Sequence, residues 1–233
     1  MNVQDAIALA LVYAIIVCAL AVALALERRG SSIDSRKVVH VGVGLFILVW
    51  WAFSANWIMM AFFTVPFAIV LFAAMFRGNA VSESRLGDIA NNRGHRTGLF
   101  LYVVSLNILV ALFWDHWTAA TIGVVAMTFG DGFGSIVGRR YGRHRTINGK
   151  SLEGSVGVFL ATAVMTAFVM AFYGWLTASG LYPGGDSVAV LPIWAVAVVA
   201  GVLASLLEAV CPGQYDNIVI PLVVATAMTA LGL

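Results

Sequence analysis

The chain has 233 residues, of which 61% are hydrophobic and only 10% are charged. A soluble domain carries about 25% charged residues, so this composition excludes a water-soluble globular protein and predicts an integral membrane protein. The net charge of +2 is too small to indicate a nucleic-acid partner. The two cysteines, Cys18 and Cys211, fit neither a disulfide framework nor a zinc site.

A membrane-spanning helix needs about 20 mostly apolar residues, and up to eight segments of the chain approach that length. They are residues 3–26, 38–54, 56–76, 98–114, 117–138, 153–177, 189–208 and 217–233. The second and fourth segments are short, so seven is the alternative count. Residues 1–26 lack a basic n-region, and we expect a retained helix rather than a signal peptide. The predicted fold is all-α: a polytopic integral membrane helix bundle with 7–8 transmembrane helices in a single domain, 1–233.

The distribution of basic residues predicts the orientation of this bundle. All 13 Lys and Arg residues fall in three loops, 27–37, 77–97 and 139–150. Alternation over eight spans places these loops on one side, which the positive-inside rule identifies as the cytoplasm. We therefore expect a plasma-membrane protein with both termini outside and with loop 209–216 on the cytoplasmic side.

Asp131 is the most informative single residue, because it lies near the end of the fifth apolar segment. An ionised carboxylate at membrane depth is unfavourable unless it is paired or binds a cation. We expect it to hold Mg²⁺ that bridges phosphate oxygens. The structural alternative is a helix-end aspartate in the headgroup region that forms a salt bridge with Arg139.

Glycines at four-residue spacing, Gly130, Gly134 and Gly138, surround this aspartate. They would let backbone N–H groups approach a ligand closely, but the same spacing equally predicts close packing of two helices. The familiar nucleotide loops are absent. The pattern GxxxxGK[ST] would need glycine where His144 stands, and GxGxxG fails after Gly134.

The segment K-S-L-E-G-S, residues 150–155, marks the start of the next apolar helix. Ser151 is a good N-cap, and Glu153 lies in the first turn, where the helix dipole favours an anion. A helix N-terminus beside Lys150 is also suited to phosphate, and Glu153 would then ligate a metal or act as a base. The structural alternative is a cap, with Gly154 and Ser155 as a packing notch.

Two further groups of polar residues are candidates. Arg36, Lys37 and His40 open the second segment, and either Arg36 or Lys37 can share a helix face with His40. The alternative is that the basic residues simply reach to the membrane interface. The loop after Glu208 contains Asp216 and Asn217 but no cation. These acids must face a metal or the cations of other loops, unless Asp216 and Asn217 simply cap the last helix.

Taken in chain order, these motifs resemble the CTP-dependent polyprenol kinases, the group of dolichol, phytol and farnesol kinases, which are distant relatives of the phosphatidate cytidylyltransferases. The residues that carry the resemblance are Arg36-Lys37 with His40, Gly130-Asp131 with Gly134 and Gly138, Lys150-Ser151 with Glu153-Gly154-Ser155, and Glu208 with Asp216-Asn217 and Pro221. The resemblance covers residues 33–233 and leaves 1–32 as an extra N-terminal helix.

The resemblance implies Mg²⁺-dependent transfer of the γ-phosphoryl group of CTP to the hydroxyl of a membrane isoprenoid alcohol of the phytol, farnesol, geranylgeraniol or dolichol type. It implies Asp131, Lys150 and Glu153 as catalytic residues and Asp131, Glu153 and Asp216 as metal ligands. The binding residues that it implies are Arg36, Lys37, His40, Gly130, Gly134, Gly138, Ser151, Gly154, Ser155 and Asn217.

The expected partners are CTP, the isoprenoid alcohol and membrane lipids, with no nucleic acid; a homo-oligomer is left open. One alternative function is CTP-dependent cytidylyl transfer onto a lipid phosphate. A second alternative is a non-enzymatic transporter. Inverted internal repeats would support a transporter, and none is evident in the sequence.

Overall fold

The computed structural model describes residues 1–31, 33–90, 97–182 and 191–233. Within these ranges every regular element is helical, which confirms the all-α prediction. The chain divides into two compact units, Met1–Ala111 and Leu112–Leu233. The single transmembrane domain over 1–233 stays a prediction.

Six α-helices form the described part of the first unit. They are α1 (Val3–Arg28), α2 (Ser35–Gly44), α3 (Asn56–Met59), α4 (Val65–Ala74), α5 (Arg85–Ala90) and α6 (Gly98–Leu112). A π-helical turn, Met60–Thr64, joins α3 to α4, so that Asn56–Ala74 is one continuous apolar helix. Residues 91–96 of the basic loop 77–97 lie outside the described residues.

The predicted span 38–54 is wrong as a single helix. After Gly44 the chain continues as two 3-10 turns, Leu45–Leu48 and Trp50–Ala52. The tighter winding turns Phe46 and Trp50 into the core, where their ring centroids lie 5.7 Å apart. Packing of these large rings therefore overrides the regular α-helical period, which composition alone does not reveal.

Five α-helices form the described part of the second unit. They are α7 (Trp117–Val125), α8 (Asp131–Tyr141), α9 (Leu152–Ala178), α10 (Ile193–Val210) and α11 (Asp216–Ala230). A second π-helical turn, Ala126–Gly130, joins α7 to α8. Residues 189–190 of the predicted span 189–208 lie outside the described residues, and the helix begins at Ile193.

Helices long and apolar enough to cross a membrane confirm a polytopic membrane bundle. Among the described residues these are Val3–Arg28, Asn56–Ala74, Trp114–Tyr141, Leu152–Ala178 and Ile193–Val210. Gly98–Leu112 and Asp216–Ala230 are apolar but shorter. The total of 7–8 spans and the orientation therefore stay predictions. Trp114–Tyr141 differs from the others in its burial. In its most apolar stretch of 18 residues 78% are buried, against 33% in the corresponding stretch of each of the other four helices. The helix that carries Asp131 is thus an interior one.

Two polar side chains within apolar helices of the first unit have structural partners. The Asp5 carboxylate accepts hydrogen bonds from the backbone N–H groups of Asn2 (2.7 Å) and Ser54 (2.8 Å) and from the Ser54 hydroxyl (3.0 Å). Asn107 accepts a hydrogen bond of 2.7 Å from the Thr64 hydroxyl, and its amide donates to the Val103 carbonyl at 2.9 Å. Both residues hold helices together, and neither is needed to explain a site.

Candidate functional site

A π-helical turn places Asp131 at the start of α8. The turn covers Ala126–Gly130 and shifts the helical register just before the aspartate, whose side chain is only 5% exposed. Such turns occur often at functional sites. The negative charge of Asp131 contributes, after those of Glu208 and Asp216, to raising the pKa of Lys150, which lies 19 positions later in the sequence.

Lys150 stands at the centre of a cluster of acidic side chains. Its Nζ lies 3.0 Å from Glu208 Oε1 and 3.6 Å from Asp216 Oδ2, and it also donates a hydrogen bond to the backbone carbonyl of Glu208. The Ser155 hydroxyl donates to Glu208 Oε2 at 3.3 Å. The structure therefore places the acids of the cation-free loop against the lysine of the K-S-L-E-G-S segment.

The carboxylates keep Lys150 protonated despite its burial. Burial alone lowers the pKa of this ammonium group, but Glu208 and Asp216, and then Asp131, raise it by more, so the net pKa lies above its ordinary value. One ammonium group faces two carboxylates, those of Glu208 at 3.0 Å and Asp216 at 3.6 Å. Such an excess of carboxylates attracts a cation rather than a bare anion.

Asp216 and Asn217 lie inside the first turn of α11 and do not act as its cap, since the helix has no side-chain cap. The simple capping alternative is thus wrong, and the Asp216 carboxylate faces Lys150 instead. The Asn217 amide donates to the Gln214 carbonyl and to Asp216 Oδ1, both at 3.2 Å. Its own oxygen is buried and has no hydrogen-bond partner among the described residues. A buried oxygen of this kind is unfavourable, and a bound cation would satisfy it.

Ser151 is the N-cap of α9, as predicted, and accepts a hydrogen bond of 3.1 Å from the Gly154 N–H group. Glu153, two residues later, is directed back over the preceding loop. Its carboxylate accepts hydrogen bonds from the backbone N–H groups of Arg143 (3.1 Å) and His144 (3.3 Å). Its Oε1 also lies 2.7 Å from His144 Nδ1. Glu153 therefore fixes the loop, while its metal and catalytic roles stay predictions.

The loop before α9 is a small hairpin, which explains how His144 reaches Glu153. Asn148 and Gly149 both adopt positive φ, at 59° and 74°, and form its turn. The Leu152 N–H group donates to the His144 carbonyl at 2.9 Å, and the Thr146 N–H group donates to the backbone carbonyl of Lys150 at 2.8 Å. The apolar and charge patterns of the sequence do not indicate His144 as a partner of Glu153. The Asn-Gly dipeptide, typical of two-residue hairpin turns, was the signal that could have found it.

The glycines allow α8 and α9 to pack closely, which confirms the packing alternative. A methyl group added at Gly130 would overlap the Thr162 hydroxyl, and one added at Gly134 would overlap Val158. At Gly138 it would lie 3.1 Å from the Ser151 hydroxyl and 3.4 Å from the Gly154 Cα. On the α9 side, a methyl group added at Gly154 would lie 3.2 Å from the Gly134 carbonyl oxygen and 3.3 Å from the Gly138 Cα. The binding role of these glycines stays a prediction.

The acidic side chains fit a magnesium ion held largely by a nucleotide. Among the residues that the structure describes, no three His, Cys, Asp or Glu side chains form a group that could hold a metal. The predicted set Asp131, Glu153 and Asp216 is not brought together, because backbone N–H groups of the hairpin bind Glu153. Mg²⁺ in phosphoryl-transfer sites usually takes only one or two protein carboxylates besides substrate phosphates. Asp216, with the unpartnered oxygen of the neighbouring Asn217, suits that arrangement.

The remaining predicted site residues lie in the first unit. Arg36 and Lys37 are half-buried in the first turn of α2, whose N-cap Asp34 accepts a hydrogen bond of 3.1 Å from the Arg36 N–H group. His40 is 3% exposed, and its ring packs on that of Tyr102, with centroids 4.4 Å apart. The polar ring inside the apolar segment therefore has an aromatic partner, which the sequence did not identify.

Comparison with known proteins finds kinases of isoprenoid alcohols. The chain is 30% identical over 199 residues to the phytol kinase of Synechocystis sp., an alignment that covers 81% of this chain and 75% of that protein. It is 31% identical over 150 residues to a probable chloroplastic phytol kinase of Triticum aestivum, covering 61% of this chain and 50% of the relative. It is 29% identical over 160 residues to the chloroplastic farnesol kinase of Arabidopsis thaliana, covering 62% and 51%.

The chain spans about half the length of these plant relatives. No protein-family model matches it, and no solved structure matches it. The similarity to the cyanobacterial protein extends over most of both chains. On that similarity, the chain belongs to the polyprenol kinase family, in the group of the phytol and farnesol kinases.

Proposed function

We propose that this protein is a CTP-dependent kinase that phosphorylates the hydroxyl of a membrane isoprenoid alcohol at the cytoplasmic face. The observation that carries the proposal is the buried cluster in which Glu208 and Asp216 face the Lys150 ammonium group at the N-terminus of α9. The names of the relatives, phytol kinase and farnesol kinase, support the reaction type and the alcohol.

The start of α9 and the hairpin before it supply the positive charge that a triphosphate needs. The N-terminus of this 27-residue helix carries a partial positive charge that favours phosphate. Arg143 and Arg145 on the hairpin, with Arg139 and Arg140 at the end of α8, are exposed cations beside it. Arginine binds phosphate oxygens in a bidentate manner. These residues would orient the nucleotide with its γ-phosphoryl group at the Lys150 cluster.

Asp131 and Asp216 would hold a magnesium ion, with the unpartnered Asn217 oxygen as a further ligand, and the ion would neutralise charge on the β- and γ-phosphate oxygens. In the reaction the alcohol oxygen bonds to the γ-phosphorus, and the bond to the bridging oxygen breaks. CDP leaves, and the hydroxyl proton passes to a carboxylate of the cluster. Because this transition state is loose, the protein contributes mainly position and charge. Lys150 would supply that positive charge, and its ion pairs with Glu208 and Asp216 hold the ammonium group in position.

An activity matrix of nucleotides against isoprenoid alcohols tests the proposal on the purified full chain in detergent. We expect CDP and a prenyl phosphate as products, with CTP preferred. Release of pyrophosphate would instead indicate cytidylyl transfer, and uptake into proteoliposomes without nucleotide consumption would indicate a transporter. Asp131→Asn should abolish the activity. Asp115→Asn, an exposed aspartate near the other end of the same long helix, is the matched control and should leave it unchanged.

A further inference from the structure

Glu208 lies at a place in α10 that helix stability does not explain. It stands two residues before the last residue of this helix, where the negative end of the helix dipole disfavours a carboxylate. Its burial disfavours a charged side chain as well. Its ion pair with Lys150 offsets these costs, but apolar residues of similar volume would stabilise the contact about equally well. The position of this acid therefore indicates a role in the site rather than in folding.

Both oxygens of the Glu208 carboxylate are engaged at the start of α9. Oε1 lies 3.0 Å from Lys150 Nζ, and Oε2 accepts a hydrogen bond of 3.3 Å from the Ser155 hydroxyl. The same hydroxyl lies 3.4 Å from the Ser151 carbonyl oxygen, but its single proton favours the charged acceptor. A carboxylate held at both oxygens has a fixed orientation. Ser155 therefore fixes the acid that in turn contacts the lysine.

Glu208 also determines which way the Lys150 ammonium group points. A lysine side chain has a flexible stem of four carbons and three N–H donors. Two of these donors face Glu208, one at its Oε1 and one at its backbone carbonyl. Asp216 Oδ2 lies 3.6 Å from Nζ, which is beyond the distance of a hydrogen bond. Two contacts with one residue orient the ammonium group and leave its third N–H for another acceptor.

We infer that Glu208 is a positioning residue that is held by Ser155 and directs the third N–H group of Lys150 at the phosphoryl group being transferred. The inference rests on the proposed function and adds to it the roles of two side chains. Glu208 touches neither reactant in this assignment and acts through the lysine. Ser155, which the family resemblance assigned to nucleotide binding, would act on Glu208 instead. The alternative is a purely structural contact between α9 and α10.

Steady-state kinetics of full-chain variants in detergent test the role of Glu208. Glu208→Gln should lower kcat about hundredfold, the loss expected from a small misplacement of a catalytic group. The KM for CTP should change little, because the interaction is made mainly in the transition state. Glu208→Asp keeps the charge but withdraws the carboxylate by one methylene group, so it should not restore kcat. Full activity of Glu208→Asp would show that charge alone suffices and would overturn the inference.

Ser155→Ala tests whether the serine acts through Glu208. It should lower kcat, and combining it with Glu208→Gln should cause little further loss, because the carboxylate that the serine orients is already gone. If Ser155 bound the nucleotide directly, the KM for CTP would rise and the two effects would multiply, which would overturn its assignment. Ser205→Ala is the matched control, because that hydroxyl donates to the Val202 carbonyl of its own helix at 3.0 Å. It should keep the wild-type kcat.

A thiophosphate analogue of CTP separates positioning from structure. Sulfur in place of a nonbridging oxygen on the γ-phosphorus weakens a contact with Lys150, so the wild-type chain should turn over this analogue more slowly than CTP. The ratio of the two kcat values does not depend on the fraction of folded enzyme. In Glu208→Gln and in Ser155→Ala the ratio should fall severalfold, because the contact is already lost. An unchanged ratio would indicate a structural contact and overturn the inference.

The outcomes separate this inference from the proposed function. A folded wild-type chain that phosphorylates no isoprenoid alcohol would refute the kinase, whereas an active wild type with full kcat in Glu208→Gln would refute the role of Glu208 alone. Should Glu208→Gln not fold, Ser155→Ala leaves the ion pair intact, and its thiophosphate ratio decides. Acetylation by acetic anhydride adds a readout without turnover, since the chain has only two lysines and Lys37 serves as the reference. Lys150 should react severalfold faster relative to Lys37 in Glu208→Gln, and an unchanged relative rate would contradict the contact.

Discussion

Lys150 Nζ lies 3.0 Å from Glu208 Oε1 and ties the start of α9 to the end of α10. Both side chains are mostly buried, at 18% and 11% exposure, so solvent screens the pair only weakly. A buried ion pair contributes little more to stability than apolar residues of similar volume in its place would. Removing one partner is strongly destabilising, however, because it leaves the other charge buried and unpaired. This asymmetry yields a test that separates structure from chemistry.

Lys150→Met should lower the free energy of unfolding by about 3 kcal/mol, because it leaves Glu208 and Asp216 buried without their cation. The double variant Lys150→Met with Glu208→Gln should recover much of that loss. Neither variant should phosphorylate an alcohol, since the ammonium group is absent in both. Denaturant unfolding in detergent and CTP turnover measure the two effects. Recovery of turnover in the double variant would contradict the role given to Lys150.

The stability that Lys150 contributes should persist through neutral pH and vanish only in strong alkali. Its pKa in the folded protein is raised above the ordinary value of 10.5. A raised pKa contributes stability that is complete below the unfolded-state value and is lost as pH rises through the folded-state value. The difference in Tm between wild type and Lys150→Met should therefore be flat from about pH 6 to 9 and shrink only above about pH 10.5. A difference that already declines near pH 8 would exclude this assignment.

Glu153→Gln should reduce kcat/KM for the nucleotide by only about tenfold, because Glu153 binds the hairpin rather than the Lys150 cluster. The Glu153 carboxylate accepts hydrogen bonds from the backbone of Arg143 and His144, so its loss should loosen the hairpin and act mainly on the KM for the nucleotide. His144→Ala should reproduce part of the effect. The two substitutions together should be less than additive, as expected for residues in contact. Complete inactivation by Glu153→Gln, with His144→Ala unaffected, would support the catalytic role predicted for Glu153.

Gly134→Ala should destabilise the protein by about 1–3 kcal/mol, because the added methyl group would overlap Val158 across the α8–α9 contact. Gly174→Ala is the matched control, since it lies in α9 with nothing within 4 Å of an added Cβ. That control should be neutral or stabilising by up to about 1 kcal/mol, the difference in helix propensity. Thermal unfolding of both variants in one detergent measures the contrast. Equal stability of the two would argue against close packing at Gly134.

Much of the fold follows from composition, because apolar segments of sufficient length have few alternatives to helix in a membrane. The sequence also predicts the N-cap at Ser151, which follows from a local rule. It predicts that Glu208 and Asp216 need a cation, which follows from electrostatics. The contacts that decide the site are not local. The position of Glu153 depends on a hairpin turn, and the surroundings of His40 depend on a tyrosine 62 residues away. Apolar periodicity carries no information about either contact.

The hairpin before α9 is attached at both ends. Glu153 binds its base at Arg143 and His144, and the Asn148 amide at its tip donates to the Val210 carbonyl at 3.0 Å. A hairpin attached at both ends loses its conformational entropy when the protein folds, before any nucleotide binds. Its arginines would therefore be preorganised for a triphosphate, and the entropic cost of ordering the loop on binding would be small. Nucleotide affinity in this protein should then depend on the two attachments as much as on the charges between them.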